Sequence, residues 1–276
     1  MHENPAAAPP EPARFERLLN FRDYGGHSVR GGGRVRRGRL YRSAHPAEAS
    51  PADLSTLRAI GLSAVVDLRG KSEREQRPSP WRTDFPARVF VVEEETGGLL
   101  GRLLVDAAAK PGDFDAARLM RQGYAMMPFR RRLKHALRNY FEALATADGA
   151  VLVHCTAGKD RTGLAAALLL SLLDVERGQI IADFMLTDAV AANAQIALHA
   201  VRTAYGGELT QAQAQELAGV RPEYIEAALD AVLERHGSIA GYLRCALDIP
   251  DEWLDIICSK LIDGTGTPAS PMQTSA

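Results

Sequence analysis

Residues 150–163 read Ala150-Val151-Leu152-Val153-His154-Cys155-Thr156-Ala157-Gly158-Lys159-Asp160-Arg161-Thr162-Gly163, and the apolar stretch Leu164 to Leu173 follows directly. The β-branched run predicts a buried strand over Ala150–Val153, and the leucine- and alanine-rich stretch predicts a helix that begins near Thr162. A polar turn in this position lies at the carboxyl end of a strand, where α/β proteins place their ligands. Gly158 can adopt the backbone conformation that turns successive N–H groups inward, and the following helix presents its positive dipole end to the same point. These features together describe a loop that cradles a phosphoryl group.

The residues within the loop supply chemistry as well as binding. A free thiol has a pKa near ~8.5 and is a few per cent ionised at neutral pH. Inward N–H groups, a helix terminus and Arg161 all favour the thiolate of Cys155. The same donors, from Thr156, Ala157, Gly158, Lys159, Asp160 and Arg161, can hold the equatorial oxygens of a phosphoryl group, with Arg161 binding two of them. The sulfur would then stand in line with phosphorus, attack it, and form a phosphocysteine that water hydrolyses. The Thr162 hydroxyl is expected to donate to the sulfur and ease its departure, and His154 to orient the loop rather than transfer a proton. The competing reading of Cys155 is a buried core thiol, and a Cys followed six positions later by an Arg is weak evidence when 28 of 276 residues are Arg. The strand, the glycine and the helix around the pair give it weight. The nucleotide-binding pattern Gly-x-x-x-x-Gly-Lys-Ser/Thr is absent.

Outward from this centre, strands are expected at Ser63–Leu68 and Val89–Val92, with a weaker one at Leu40–Arg42. Ser50, Pro51 and Asp53 cap a helix that runs to about Gly61. Phe129, Leu133, Leu137, Tyr140, Phe141 and Leu144 recur at helical spacing. Further helices are expected from Gln179 to about Ala204, over Pro222–His236 closed by Gly237, over Ile239–Ala246 and over Asp251–Leu261. The stretch Glu93–Gly123 has no clear period and reads as a long loop with at most a short helix. Strands alternating with helices imply an α/β fold with a parallel-type central sheet flanked by helices, and the last third implies a helical C-terminal cap or lid over 178–262. One domain over 14–263 is expected between disordered tails at 1–13 and 264–276, which are poor in large apolar residues.

The 276 residues carry a net charge of -1, which excludes a protein that depends on neutralising many nucleic-acid phosphates. The sum conceals a split, since residues 1–202 hold 29 basic and 23 acidic side chains and the remainder holds 4 and 11. The basic part is suited to anionic substrates. Arg34, Arg36, Arg37, Arg39 and Arg42 form a run that reads as a solvated hairpin or, through Arg34, Arg36, Arg37 and Arg39, as a weak contact for anionic surfaces. Arg130, Arg131, Arg132 and Lys134 read as an exposed helix face. Cys245 and Cys258 have no basic loop around them and are expected in the core. Three unpaired cysteines suggest neither a disulfide framework nor a zinc site. No run is long enough to span a bilayer and no signal peptide is visible, so a cytoplasmic protein is expected; export without a leader is compatible with the same sequence.

The loop has the form His-Cys-x5-Arg-Thr, and in this the chain resembles the Cys-dependent protein tyrosine phosphatases, in particular a bacterial branch with Gly-Lys-Asp-Arg-Thr-Gly in the loop and a mycobacterial member. The resemblance extends through Asn20-Phe21-Arg22-Asp23 with Gly25-Gly26, Gly38 to Ser43, Val66-Asp67-Leu68-Arg69 with Glu73, Arg221-Pro222-Glu223-Tyr224 and Gly237 to Leu243. It implies a compact α/β fold and hydrolysis of phosphomonoesters without metal or other cofactor. The implied substrates are phosphotyrosine proteins, with phosphoserine, phosphothreonine and phosphoinositides in some members. Lys159 is the residue to link to lipid head groups, as a second positive charge at the mouth. The general acid is open between Asp160, which is preferred, Asp67, which reads equally as a supporting structural partner for Arg69 or Arg22, and Glu93, Glu94 and Glu95, which also read as a solvated turn. Two competing readings are a phosphate-binding pseudophosphatase with little turnover and a thiol-based sulfurtransferase or arsenate reductase.

Overall fold

The computed structural model describes residues 15–81, 85–96, 115–187 and 210–264. In chain order it contains β1 (Arg22–Asp23), β2 (Arg34–Val35), β3 (Leu40–Ser43), α1 (Pro51–Ile60), β4 (Leu62–Asp67), α2 (Lys71–Gln76), β5 (Arg88–Phe90), α3 (Ala116–Met126), α4 (Arg131–Thr146) and β6 (Ala150–His154). There follow α5 (Asp160–Leu172), α6 (Arg177–Met185), α7 (Gln211–Ala218), α8 (Pro222–His236), α9 (Ile239–Leu247), α10 (Asp251–Leu261) and β7 (Ile262–Asp263).

Five strands form one sheet in the order β1-β3-β6-β4-β5. β3, β6, β4 and β5 run parallel, and β1 joins the edge antiparallel to β3. The strand that carries the cysteine loop therefore lies between two parallel neighbours, and the loops after β3 and β4 flank it on either side. Alternation along the strands separates two cores. Val65, Ala150 and Leu152 face Leu57 of α1 and Leu18, whereas Ala64, Val66, Val151 and Val153 face the large helical layer.

Local signals in the sequence explain the elements that frame the site. Ser50 and Asp53 form a capping box on α1, with each side chain accepting the other's backbone N–H at 3.1 and 3.2 Å. Asp53 also accepts from the backbone of Glu16, Arg17 and Leu18, which fastens the N-terminal segment to that helix. α5 is apolar around its whole circumference, and every residue from Arg161 to Leu170 is buried, as befits a helix inside the core. α8 packs on α3, α5 and α6, while α9 and α10 pack on α4. Tyr224, Ile225, Val232, Tyr242, Leu243 and Ile257 are all within the main core, so these C-terminal helices contribute to it.

The expected class stands: an α/β fold with a mostly parallel sheet, helices on both faces and a helical C-terminal layer. Several details differ. The helix expected from Gln179 to Ala204 begins at Arg177 and its described part ends at Met185; the remainder lies outside the described residues, as do 1–13 and 265–276 of the expected tails. Within the expected loop Glu93–Gly123, residues 97–114 are outside the description, and an eleven-residue helix, α3, starts at Ala116 because Asp115 caps it by accepting from Arg118 N. Phe129 belongs to a short 3-10 turn before α4. The two-residue strands β2 and β7 pair antiparallel, Val35 opposite Ile262. Cys245 is exposed and Cys258 is half-buried, contrary to the expected core positions. Among the described residues no helix is long and apolar enough to cross a membrane.

Candidate active site

β6 ends at His154 and delivers Cys155, 3 % exposed, to the start of a loop that closes at the first turn of α5. Gly158 has a φ of +67°, and a Cβ there would stand 2.3 Å from the Ser43 carbonyl oxygen. The position therefore needs glycine for conformation and for space. The loop's carbonyls are bound from outside. Asn20 Nδ2 donates to Ala157 O at 3.3 Å and Gly158 O at 2.8 Å, Arg42 Nη2 donates to Gly158 O at 3.0 Å, and His45 N donates to Thr156 O at 2.9 Å. With the carbonyls held outward, the N–H groups of the same peptides turn toward the centre of the loop.

That outer ring is braced in turn. Asp183 of α6 binds Arg42 Nη1 at 2.7 Å and Arg22 Nε at 3.0 Å, and Arg22 also bonds Asn20. Arg42, expected within a solvated basic run, is fully buried. The remainder of that run stays near the surface, where Arg36 pairs with Asp263 at 2.8 Å.

Arg161 is held by a bidentate pair: Nη1 and Nη2 donate to Oε2 and Oε1 of Glu73 at 2.6 and 2.7 Å. Nη1 also reaches Thr96 Oγ1 at 3.0 Å, and Nη2 reaches Thr156 Oγ1 at 3.2 Å. Among the described residues Nε–H donates no hydrogen bond, so this one N–H is left for an anion in the loop. Glu73 is itself fixed, because Oε2 accepts the Gly70 N–H at 3.0 Å at the start of α2 and Oε1 accepts the Thr156 hydroxyl at 2.5 Å. Burial works against both charges. The pair overcomes it: Glu73 is held down to about 2 by Arg161, Thr156 and Gly70, and the Arg161 proton is held above its ordinary range by Glu73, with Cys155 and Asp160 adding to the effect.

The two loop residues before Arg161 are bound by neighbouring helices. Lys159, expected at the mouth, is 5 % exposed, and its Nζ donates to Leu217 O, Ala218 O and Gly219 O at 2.9, 3.2 and 3.0 Å. It caps the C-terminal end of α7, where three carbonyls lack helical partners and the dipole favours a cation. The expectation of a free charge for lipid head groups is corrected on this ground. Asp160 opens α5, remains partly exposed, and accepts a 2.5 Å hydrogen bond from the Tyr124 hydroxyl.

The other acids considered for proton transfer are committed elsewhere. Asp67 is 1 % exposed and binds Arg69 Nε and Nη2 at 2.9 and 2.7 Å. Burial alone would raise its pKa, but His154 and Arg69 push it below the carboxylate range, so it holds no proton to give. Glu93 pairs with Arg74, Glu94 with His135, and Glu95 accepts from Ser72 N and Oγ at 2.7 and 2.8 Å. His154 is fully buried, which lowers its pKa, while Asp67 acts in the opposite direction; its Nδ1 lies 3.3 Å from Cys155 O. Among the described residues the buried Thr162 hydroxyl has no hydrogen-bond partner, so the expected donation to sulfur is not made in this structure.

Glu73, Thr96, Asn20, Arg42, Asp183 and Tyr124 thus join the site without a role assigned from sequence. Glu73, Asn20 and Arg42 stood inside the motifs that carried the resemblance, and their spacing gave no hint of what they touch.

Comparison with known proteins agrees with this geometry. The pattern of the tyrosine phosphatase family matches residues 13–263. A Cupriavidus necator protein provisionally named a tyrosine-protein phosphatase is 38% identical over 241 residues, covering 85% of this chain and 84% of the relative. The triple specificity protein phosphatase PtpB of Mycobacterium tuberculosis is 31% identical over 258 residues, covering 82% and 91% of the two chains. A tyrosine-protein phosphatase of Nostoc commune is 31% identical over 147 residues, covering 53% of this chain and 47% of the relative. With a cysteine loop of this geometry and a family match over nearly its whole length, the chain belongs to the tyrosine phosphatase family.

Proposed function

We propose that this tyrosine phosphatase works through a phosphocysteine intermediate on Cys155. The observation that carries the reading is the arrangement of one loop: its carbonyls are bound outward by Asn20, Arg42 and His45, its arginine is fixed by Glu73, and its cysteine stands at the strand end. In the first step the Cys155 thiolate attacks phosphorus, the S–P bond forms, and the P–O bond to the leaving group breaks while Asp160 protonates the departing oxygen. In the second step water attacks phosphorus, Asp160 takes its proton, and the thiolate leaves. Peptide N–H groups and Arg161 hold the three equatorial oxygens throughout and stabilise the charge that builds on them. Thr162 turns its hydroxyl to the sulfur as the thiolate departs.

Phosphotyrosine is the main substrate of this proposal, and phosphoserine, phosphothreonine and phosphoinositides extend it by analogy with the triple-specificity relative. Weak attraction to anionic surfaces through Arg34, Arg37 and Arg39 is part of the same proposal, with Arg36 contributing less because Asp263 neutralises it. The reading calls for a reducing compartment such as the cytoplasm, since the nucleophile has to remain a thiol.

The test is hydrolysis of p-nitrophenyl phosphate and of a phosphotyrosine peptide in the presence of a chelator. The wild type should release phosphate and be inhibited by vanadate, and Cys155→Ser should lose turnover while still binding vanadate. Full activity of Cys155→Ser would sink the mechanism. Phosphate binding without release would favour a pseudophosphatase, and thiol-dependent arsenate reduction or sulfur transfer without phosphate release would favour the remaining alternatives.

A further inference from the structure

Tyr124 is a fully buried tyrosine of α3 whose hydroxyl has a single described partner, Oδ1 of Asp160, at 2.5 Å. A buried hydroxyl without a partner is costly, so Tyr124 is held to this one acceptor. The ring cannot swing away, because Tyr224 stacks on it with centroids 5.5 Å apart and Phe184 meets it edge-on at 5.9 Å. Burial and the neighbouring Asp160 hold the Tyr124 proton well above the ordinary range, so the hydroxyl remains a donor. Lys159 Nζ lies 3.5 Å from the same Oδ1 but spends its hydrogen bonds on α7.

We propose that Tyr124 is a positioning residue for proton transfer in this enzyme: it occupies Oδ1 of Asp160 and so assigns the transferable proton to Oδ2. The proposal rests on Asp160 as the general acid. As the S–P bond forms and the P–O bond breaks, the Oδ2 proton moves to the leaving oxygen, and the negative charge left on Asp160 is met by the Tyr124 hydroxyl. In the second step water returns a proton to Oδ2 as its oxygen bonds to phosphorus and the thiolate departs. A hydrogen bond that strengthens as the carboxylate forms lowers the barrier of the first step.

A leaving group that departs readily as an anion needs little of this help, and a poor one needs it fully. The experiment is therefore a series of aryl phosphates from 2,4-dinitrophenyl to phenyl phosphate, measured for wild type, Tyr124→Phe, Asp160→Asn and the double variant. Tyr124→Phe keeps the ring and its stacking. It should lower kcat about tenfold or more for phenyl phosphate and change it little for the dinitrophenyl ester. On the Asp160→Asn background it should add no further dependence on the leaving group. Equal losses across the series, or a dependence that steepens again in the double variant, would overturn the role of Tyr124 while leaving the phosphatase reading intact. An inactive wild type would overturn both. If Tyr124→Phe does not fold, 3-fluorotyrosine at position 124 makes the hydroxyl more acidic while keeping it in place, and an unchanged leaving-group dependence would then count against the proposal.

Discussion

The ammonium of Lys159 stands 2.9 Å from the carbonyl oxygen of Leu217, at the end of α7, and turns its back on the mouth of the phosphate loop. Two further carbonyls share the same cation. A charged donor to three otherwise unpaired helix-end acceptors stabilises the docking of α7 on the loop and gives substrate selectivity nothing to act on. Lys159→Met should cost about 1–3 kcal/mol of stability, read by urea denaturation, and should lower rates on phosphotyrosine peptide, phosphoserine peptide and phosphoinositide by similar factors. A loss confined to the lipid substrate would restore the mouth reading and refute this one.

The contrast between Lys159 and Cys155 marks what could be read from sequence. Cys155, Gly158, Arg161 and the strand and helix around them form one contiguous stretch, so local periodicity and turn chemistry place them together. The direction of the Lys159 side chain depends on a helix end 58 residues later, and Arg161 finds Glu73 88 residues earlier. Nothing local encodes such pairings; the one with Glu73 follows from β6 lying beside β4, and the one with Leu217 from the docking of α7. The capped helix α1 was legible because Ser50, Asp53 and Gly61 lie within its own boundaries. The two-residue strands β2 and β7 were not, since a pair that short carries no periodic signal.

Glu73 carries two predictions through its pair with Arg161. Glu73→Gln keeps the shape and removes the charge, so Arg161 loses its fixed orientation and kcat/KM on an aryl phosphate should fall about tenfold to a hundredfold. The pH dependence follows from the depressed carboxyl. Its folded pKa of about 2 lies below the ordinary carboxylate value, so its contribution to stability is complete above that value and is lost as pH falls toward about 2. The stability gap between wild type and Glu73→Gln should therefore be constant above about pH 5 and shrink steadily below it. Denaturation at pH 7 and pH 3 measures this, and an equal gap at both would contradict the pairing.

Gly158→Ala tests the loop's backbone. The new methyl would meet Ser43 O at 2.3 Å and Ala44 N at 2.6 Å, both backbone atoms of a sheet-anchored segment that cannot swing aside. The loop must shift instead, and with it the N–H groups that face the phosphate. A fall of about a hundredfold or more in kcat/KM is expected, together with weaker vanadate binding by calorimetry. Near-normal affinity would mean that those N–H groups do not hold the anion.

Asp183 is the common anchor of Arg22 and Arg42, and its carboxylate and the Arg42 side chain are 4 % and 0 % exposed. Burial opposes its charge, yet the two guanidinium groups hold its pKa below the usual range. Removing the charge leaves two arginines facing each other inside the fold without compensation. Asp183→Asn should therefore cost about 3–5 kcal/mol, and phosphatase activity should fall as Arg42 loosens its bond to Gly158 O. The cost comes from a stranded cation rather than from a lost contact, so removing that cation should recover part of it. Asp183→Asn combined with Arg42→Met should be more stable than Asp183→Asn alone, although less active than wild type because the Gly158 carbonyl has lost its donor. Additive losses in the double variant, measured by denaturant unfolding, would show that the two residues do not form the coupled pair seen beneath the loop.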